Sequence, residues 1–303
     1  MTAAMALENV ACNLCGSRRF KTLRDRPYAS SNSSDCAATT DQYQAYGRIV
    51  RCQDCGLVFT NPRPGAADLL SGYSGCTDQT YLTEASSRSI NAHFSLNTIR
   101  RFAKGGRLLE IGASTGCFLN AARVDFEVVG LEPSQWACRV ARERFRLECY
   151  AEGIQATTRF APASFDVVAL IDVIEHLPDP AAAVRKAAEL LRPGGLLYVV
   201  TPDIESFSSK ILGGYWWGLR PAHIYYFSAK TLGRLLAQSG FEVVLNKSFG
   251  RIFTWGYWAS RLRHYPRWLY AGTLRIIARL DIERKFVYFD TRDSMEICAV
   301  KRS

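Results

Sequence analysis

Residues able to move a proton follow one apolar run of the chain. Asp172, Glu175 and His176 come after the run at 165–171, and His223 stands in a later segment. Imidazole changes its charge near neutral pH, so His176 and His223 are the first candidates for a general base, with Glu175 as a further catalytic candidate. Because a lone histidine is more often a structural hydrogen-bonding residue, each could instead have that role.

A turn of small residues separates two apolar stretches at 108–122. The segment indicates a strand closed by Glu110, a loop from Gly112 to Gly116, and then a helix. Glycine can take φ > 0 and leaves backbone N–H groups and a helix N-terminus open to a ligand, which is typical of a nucleotide-type cofactor site. The spacing is E-x-G-x-x-x-G with Ser114 near its centre, so it departs from the G-x-G-x-x-G dinucleotide fingerprint.

Four segments in this order resemble the class I S-adenosylmethionine-dependent methyltransferases. They are EIGASTG at 110–116, GLEPS at 130–134, FDVVALIDVIEHLPDP at 165–180 and LRPGGLLYVVTP at 191–202. The resemblance implies S-adenosylmethionine as cofactor, with Glu110 at its amino acid moiety, Glu132 at its ribose and Glu152 near its adenine edge. The cofactor-binding candidates are Glu110, Gly112, Ala113, Ser114, Gly116, Phe118, Glu132, Pro133, Glu152 and Asp172.

The same resemblance gives the catalytic candidates a context. Asp172, Glu175 and His176 resemble the Glu-x-x-Glu-His pattern of ubiquinone-pathway O-methyltransferases, where a divalent cation can assist, so Mg²⁺ is a further cofactor candidate. His223 lies in a His-x-x-x-Phe-Ser segment that similar methyltransferases carry on the acceptor side. Methyl transfer from a sulfonium is an in-line displacement, and a hydroxyl acceptor also needs a base to remove its proton.

Two cysteine pairs precede this core, each with two residues between its members and a glycine after it. The pairs are Cys12 with Cys15 and Cys52 with Cys55. Four thiolates suit a tetrahedral structural Zn²⁺, and a polar insertion at 26–41, interpreted as a surface loop, accounts for the long separation between the pairs. The alternative is four unligated thiols in a reducing cytosol.

Strands and helices alternate along the core. Strands are predicted near 107–111, 127–131, 147–150, 165–171 and 195–201, helices near 117–124, 134–145 and 180–191, and two late strands at 240–245 and 295–300. The alternation predicts an α/β fold with a doubly wound, Rossmann-like, seven-stranded sheet that has one antiparallel late strand. The expected divisions are a cysteine-rich zinc-binding module at 1–62, connecting or lid helices at 63–104, and a methyltransferase core at 105–303.

An insertion at about 248–292 is expected to be helical and mixes aromatic with cationic side chains. Over half of the formal net charge of +10 lies there, between aromatic residues such as Trp258 and Trp268. This composition fits an anionic membrane interface and, in principle, nucleotide stacking; a helical cap with solvated arginines is the alternative. The expected location is cytoplasmic, because the sequence shows neither a secretion signal nor a membrane-spanning run. Peripheral membrane contact is expected from the basic aromatic composition of the insertion.

A small-molecule methyltransferase is the leading hypothesis. The expected reaction is O-methylation of a sugar, glycolipid, quinone-like phenol or secondary-metabolite intermediate. One alternative is an RNA methyltransferase that docks through the zinc module, although acidic residues there, such as Asp25 and Asp54, argue against a nucleic acid partner. The others are a sugar C-methyltransferase and a non-catalytic cofactor-binding protein. The sequence does not predict the oligomeric state.

Overall fold

A seven-stranded sheet forms the centre of the computed structural model, which describes residues 6–26 and 46–302. Smaller sheets lie in the N-terminal module and in the late insertion. The strands, in chain order, are β1 (Leu7–Glu8), β2 (Phe20–Arg24), β3 (Ile49–Cys52), β4 (Val58–Thr60), β5 (Arg63–Pro64), β6 (Arg107–Ile111), β7 (Glu127–Leu131), β8 (Glu148–Tyr150), β9 (Phe165–Ile171), β10 (Leu191–Pro202), β11 (Tyr225–Tyr226), β12 (Phe241–Ser248), β13 (Arg251–Thr254), β14 (Phe286–Phe289) and β15 (Ser294–Lys301).

Helices connect these strands and cover the sheet. Several begin at a side chain that accepts a hydrogen bond from the first turn: Ser134 accepts from the Ala137 amide at 3.1 Å, and Asp179 from the Ala182 amide at 2.8 Å. The helices are α1 (Ala66–Ser74), α2 (Gln79–Thr83), α3 (Ala85–Ile99), α4 (Cys117–Ala122), α5 (Gln135–Phe145), α6 (Pro180–Leu190), α7 (Phe207–Leu212), α8 (Ala229–Gln238), α9 (Trp255–Ser260) and α10 (Arg267–Arg279).

The central sheet has the strand order β12-β15-β10-β9-β6-β7-β8. Neighbouring strands from β10 to β8 pair in parallel, whereas β15 runs antiparallel to both β10 and β12. The predicted fold, a doubly wound sheet with one antiparallel late strand, is therefore confirmed. The strand order reverses between β6 and β9, and in open α/β sheets ligands bind beyond the carboxyl ends of the strands at such a point.

Both faces of the sheet are buried, as expected for parallel strands between helices. Along β9, Val168 and Leu170 pack into one apolar cluster with α6 and α8, whereas Val167 and Ala169 pack into a second cluster with α3, α4 and α5. This two-sided packing fixes the register of the strands and holds the loops at their carboxyl ends in place.

The N-terminal cysteine module is built from short antiparallel strands. Strands β2, β3 and β4 form a sheet that β11, from the later part of the chain, completes beside β4. Apolar residues of the module also belong to the same buried cluster as β9. Most of the predicted polar loop at 26–41 lies outside the described residues, and the division of the chain at residues 62 and 104 stays a prediction.

The late insertion contains the expected helices together with a two-stranded ribbon. Strands β13 and β14 pair antiparallel, with Arg251 opposite Phe289, and α9 and α10 lie between them in sequence. Nothing in the aromatic and basic composition distinguished ribbon from helix. Within residues 6–26 and 46–302, no helix is both long enough and apolar enough to cross a membrane.

Candidate active site

A cavity of about 520 Å³ lies beyond the carboxyl ends of β6, β7 and β9. Helices α1 to α3 form one wall and the late insertion forms another. Most predicted site residues line it: Glu110, Gly112, Ala113, Ser114, Phe118, Glu132, Pro133, Glu152, Asp172, Glu175, His176 and His223. Gly116 lies behind the wall, where a Cβ atom would meet Leu147 Cδ1 at 2.6 Å.

The loop after β6 is held close to the rest of the sheet edge. Gly112 has φ = 74°, and a Cβ atom there would lie 2.4 Å from Val173 Cγ2, so the close approach requires glycine. The amides of Gly112 and Ala113 both donate to the Leu131 carbonyl, at 2.7 and 3.1 Å. These bonds tie the loop to the end of β7 and fix the direction of the following amides.

Two buried carboxyl groups face this loop. Glu132 accepts hydrogen bonds from the amides of Ser114 and Ser134, both at 2.8 Å, although burial still raises its pKa. Glu110 is only 4% exposed, and its Oε2 atom has no hydrogen-bond partner among the described residues. Burial, with the nearby Glu132 charge, raises the pKa of Glu110 well above its usual value. A cationic ligand group would satisfy this oxygen.

An arginine that the sequence motifs did not indicate lines the same cavity as Glu110. The Arg88 guanidinium stands 3.4 Å over the Tyr81 ring and also lines the cavity. Arg88, Asn91, Ala92 and Ser95 share this cavity-facing side of α3. Their spacing of three and four residues on a predicted helix is the signal that could have found them.

Helix α3 is also tied to the late insertion. The Asn91 side chain donates to the Ile252 carbonyl at 2.9 Å and accepts from the Ile252 amide at 2.8 Å. These two hydrogen bonds between the Asn91 side chain and the β13 backbone fix the insertion against the wall that carries Arg88. The contact joins residues 161 positions apart, so no local pattern could predict it.

The two candidate histidines lie against each other. Their rings meet edge to face with centroids 4.7 Å apart. His176 Nδ1 is 2.9 Å from the Ala222 carbonyl and 2.8 Å from the Tyr73 hydroxyl, and His223 Nδ1 is 2.8 Å from the Gly218 carbonyl. A carbonyl only accepts, so both Nδ1 atoms carry the hydrogen in these bonds and both Nε2 atoms keep a lone pair in the neutral ring.

Burial controls the charge of this cluster. It lowers the pKa of His176 to about 4 and the pKa of His223 well below its usual value, with the His176 charge adding to the second shift. Burial and the nearby Asp172 raise the pKa of Glu175 to about 8. Both imidazoles are therefore neutral at physiological pH, and the same burial makes them weaker bases than free imidazole.

A carboxyl oxygen completes the cluster. Glu175 Oε2 accepts from the Thr201 hydroxyl at 2.9 Å, and its Oε1 atom lies 3.9 Å from His176 Nε2. One ligand atom each from Glu175, His176 and His223 lies within 4.8 Å of the others. The predicted one-turn cation set included Asp172, but its Oδ1 atom accepts from Arg251 at 2.7 Å. The fold thus places His223 in the cluster, whereas Asp172 pairs with Arg251.

Glu152 lies at the far end of the same cavity wall. Its Oε1 atom accepts from the Thr157 hydroxyl at 2.8 Å and from Arg159 Nε at 2.9 Å. The carboxylate is therefore held by its own loop while it lines the cavity beside Gly153. A role for Glu152 at the adenine edge stays a prediction.

The four paired cysteines converge away from the cavity. Their sulfur atoms lie within 4.8 Å of one another, with 3.4 Å between the sulfurs of Cys12 and Cys55 and 3.5 Å between those of Cys15 and Cys52. Zn–S bonds of about 2.3 Å in a tetrahedron place sulfurs about 3.8 Å apart, so the donor set fits Zn²⁺. The amides of Gly16 and Gly56 close the two turns onto the carbonyls of Cys12 and Cys52.

The cysteine module also contacts the segment that carries His176. Asn13, inside the first cysteine turn, donates to Asp179 at 2.8 Å and accepts from the Ala181 amide at 2.9 Å. Arg63 donates to the Pro178 carbonyl at 2.8 Å. Asn13 of the module and Arg63, just after the module, therefore hold the loop between His176 and α6.

Comparison with known families gives one extended match. A family described as a methyltransferase domain matches residues 87–246, which is more than half of the chain. The matched residues include the loop after β6, both candidate histidines, strands β6 to β11 and most of β12.

Individual relatives match shorter parts. The chain is 33% identical over 118 residues to a ubiquinone biosynthesis O-methyltransferase of Albidiferax ferrireducens, covering 36% of this chain and 47% of that protein. It is 35% identical over 166 residues to the protein of the same name from Ruegeria pomeroyi, covering 51% of this chain and 66% of that protein. The chain thus spans about half to two thirds of the length of these relatives.

Solved structures share the fold at lower identity. A methyltransferase candidate from Bacillus halodurans C-125 superimposes with a TM-score of 0.50 and 18% identity, covering 70% of this chain and 99% of that one. At this identity the likeness concerns the fold alone.

Proposed function

Because the chain belongs to the class I S-adenosylmethionine-dependent methyltransferase family, we propose that it methylates a hydroxyl oxygen of a small molecule. The observation that carries this proposal is the neutral histidine pair in the cavity beside the loop after β6. A hydroxyl acceptor must lose a proton during methyl transfer, and a neutral imidazole nitrogen is the group that can take it.

Three side chains would hold the cofactor. Glu110 would offer its unpaired oxygen to the amino group, Arg88 would bind the carboxylate, and Glu132 would bind the ribose hydroxyls. The loop from Gly112 to Ser114 presents its backbone at close range. When bound, S-adenosylmethionine supplies a methyl group on a sulfonium, which is electrophilic without further activation.

His176 is the proposed proton acceptor. Its side chain is 20% exposed, toward the cavity, and its Nδ1 side is fixed by the Ala222 carbonyl and the Tyr73 hydroxyl. Its Nε2 atom, 3.9 Å from Glu175 Oε1, then keeps the lone pair that would accept the proton. His223 packs against it with the same tautomer and keeps the ring in place, so it is a positioning residue in this proposal.

A cation-assisted reaction is the second candidate, since Glu175, His176 and His223 converge with two nitrogen lone pairs and one oxygen. Imidazole ligands of a metal usually donate their other N–H to a carbonyl, as both histidines do here. A divalent ion held there would lower the pKa of the acceptor hydroxyl; two imidazoles and one carboxylate suit a transition-metal ion rather than the predicted Mg²⁺. Activity that disappears with a chelator and returns with the metal would favour this route over a free imidazole base.

Aromatic side chains favour a planar acceptor. Trp217, Phe253, Tyr257 and Trp258 line the part of the cavity formed by the insertion and its neighbours. Aromatic rings stack on a phenol or quinone-like ring with favourable offset geometry. The relatives named for ubiquinone biosynthesis are in keeping with this acceptor class.

The cysteine cluster is proposed as a structural Zn²⁺ site. Its role would be to fold the module that holds the loop after His176, through Asn13 and Arg63. Metal analysis of the purified chain would test it: about one zinc per chain is expected, and none in a Cys12→Ser/Cys15→Ser variant.

An acceptor screen tests the proposed reaction. Phenols, sugar nucleotides, lipid-linked sugars and RNA are each incubated with the chain and S-adenosylmethionine, and the methylated atom is identified by mass spectrometry and NMR. O-methylation of a phenol is the expected result. Methylation of carbon on a sugar, or of RNA with steep salt dependence, would replace the proposal by the corresponding alternative.

A further inference from the structure

Helix α10 carries large apolar side chains on its solvent face. Trp268 is 75% exposed, Ile276 is 60% exposed, and Leu280, just after the helix, is 58% exposed. With 3.6 residues per turn, Ile276 and Leu280 lie about 80° and about 120° around the helix axis from Trp268. Ile277, which lies opposite Trp268, is buried. Soluble helices normally bury their large apolar side chains, so these exposed ones are informative.

A second exposed apolar group lies on α7 and the turn after it. Phe207 is 74% exposed and Ile211, four residues later, is 65% exposed. This group adjoins the approach to α10, because the Tyr265 hydroxyl donates to the Tyr215 carbonyl at 2.9 Å and the two rings lie 6.2 Å apart. We call the exposed apolar residues of α7 and α10, with Tyr215, the α7–α10 surface.

Cations accompany the apolar residues. Arg267, Arg275 and Arg279 on α10 and Lys210 on α7 are all exposed. Arg275 and Arg279 lie on the same side as Trp268, since they are separated from each other by four residues and from Trp268 by about two and three turns. An exposed tryptophan with arginines on its side of the helix, beside further exposed apolar side chains, matches the polarity of an anionic bilayer surface, where rings reach the acyl boundary and guanidinium groups meet phosphates.

The α7–α10 surface borders the active-site cavity. Tyr265, which contacts Tyr215, also lines the cavity, as do Leu262 and Arg261 of the turn between α9 and α10. An acceptor with an apolar tail could therefore pass from the outer leaflet of a vesicle to the histidine pair without crossing open water.

We propose that the α7–α10 surface docks the protein on an anionic phospholipid bilayer, with the mouth of the cavity toward the lipid. The docking rests on exposure and charge alone and does not depend on the proposed O-methylation, so the two can fail separately. The sequence indicated the aromatic residues of the insertion, from Phe253 to Trp268, as membrane candidates. The structure turns Phe253, Tyr257 and Trp258 into the cavity and exposes Trp268. It also exposes Ile276, Phe207 and Ile211, which the sequence did not single out.

Vesicle binding of the full chain tests the proposal. The chain is mixed with vesicles of phosphatidylcholine alone or of equal parts phosphatidylcholine and phosphatidylglycerol, and the bound fraction is measured by sedimentation. Trp268→Ser/Ile276→Ser and Phe207→Ser/Ile211→Ser remove the two apolar groups separately. Val124→Ser is the control, because Val124 is 79% exposed but precedes β7, at the amino ends of the parallel strands and away from the cavity.

Wild type and Val124→Ser are expected to bind the anionic vesicles, and both double serine variants to bind weakly. Arg275→Gln/Arg279→Gln should lower the partition constant about 25-fold, at about fivefold for each cation near an anionic surface. Unchanged far-UV circular dichroism and S-adenosylhomocysteine affinity show that the variants are folded.

Three results would overturn the proposal. The first is a wild-type chain that stays in the supernatant with anionic vesicles. The second is equal vesicle binding by wild type and both double serine variants. The third is concentration-dependent self-association, without vesicles, that the serine substitutions abolish, because the surface would then be a contact between copies of the chain.

Discussion

Gly112→Ala tests whether the loop after β6 is held by close packing. Gly112 has φ = 74°, in the region that costs an L-residue about 1–2 kcal/mol, and its new Cβ atom would lie 2.4 Å from Val173 Cγ2. Overpacking of a buried position costs about 1–3 kcal/mol more. We therefore expect the free energy of unfolding to fall by about 2–5 kcal/mol in total.

Gly194→Ala is the matched control. Gly194 also has φ = 74°, but no atom lies within 4 Å of its would-be Cβ. Gly194→Ala should lower the free energy of unfolding only by the cost of the backbone conformation, about 1–2 kcal/mol. The free energy of unfolding is measured by urea denaturation, and S-adenosylhomocysteine affinity by calorimetry.

The affinity should fall about 10- to 100-fold in Gly112→Ala alone, because the shifted loop misplaces the amides beside the cofactor. Equal destabilisation by the two substitutions, with wild-type affinity in both, would refute the packing argument.

The remaining predictions concern charge and metal. Arg88→Leu should weaken S-adenosylhomocysteine binding about 10- to 100-fold in calorimetry, because a charge-assisted hydrogen bond contributes about 1.5–3 kcal/mol; unchanged affinity would contradict its role. Burial raises the pKa of Glu110 from 4.5, so the unfolded chain releases this proton first and wild-type stability falls as pH rises above 4.5. Glu110→Gln should therefore be more stable than wild type by about 1–3 kcal/mol at neutral pH, and equal to it below pH 4.5, in urea denaturation; a constant difference would contradict the assignment. Cys52→Ser should lower stability by more than about 5 kcal/mol, because zinc contributes about 10–16 kcal/mol in small zinc peptides; a cooperative wild-type-like transition would contradict the zinc site.

Much of the central sheet could be predicted because its signals are local. Each carboxyl-end motif is a contiguous stretch, and the acid that closes each strand, Glu110 or Glu132, is part of that stretch. Helix starts were also readable, since Ser134 and Asp179 cap helices within three residues of their own position. The cysteine pairs carried their own spacing, and the structure brings their sulfur atoms together.

The rest of the site depends on contacts between distant segments. Tyr73 reaches His176 across 103 residues, and Arg251 reaches Asp172 across 79. No periodic sequence pattern marks either pairing, because each pairing depends on how the lid helices and the insertion pack on the sheet. The direction of an aromatic side chain is equally non-local: Trp258 and Trp268 belong to one basic aromatic segment, yet the first lines the cavity and the second faces solvent.

Product analysis with a histidine variant tests whether His176 takes the proton of a hydroxyl acceptor. The wild-type chain and His176→Asn are incubated with S-adenosylmethionine and a catechol-type phenol, and the rate of O-methyl product formation is compared with the affinity for S-adenosylhomocysteine. The asparagine amide can still donate to the Ala222 carbonyl, so the loop is retained. We expect O-methylated phenol from wild type and a rate about 100-fold or more lower in the variant, with unchanged affinity. An equal rate in the two proteins would exclude His176 as the proton acceptor.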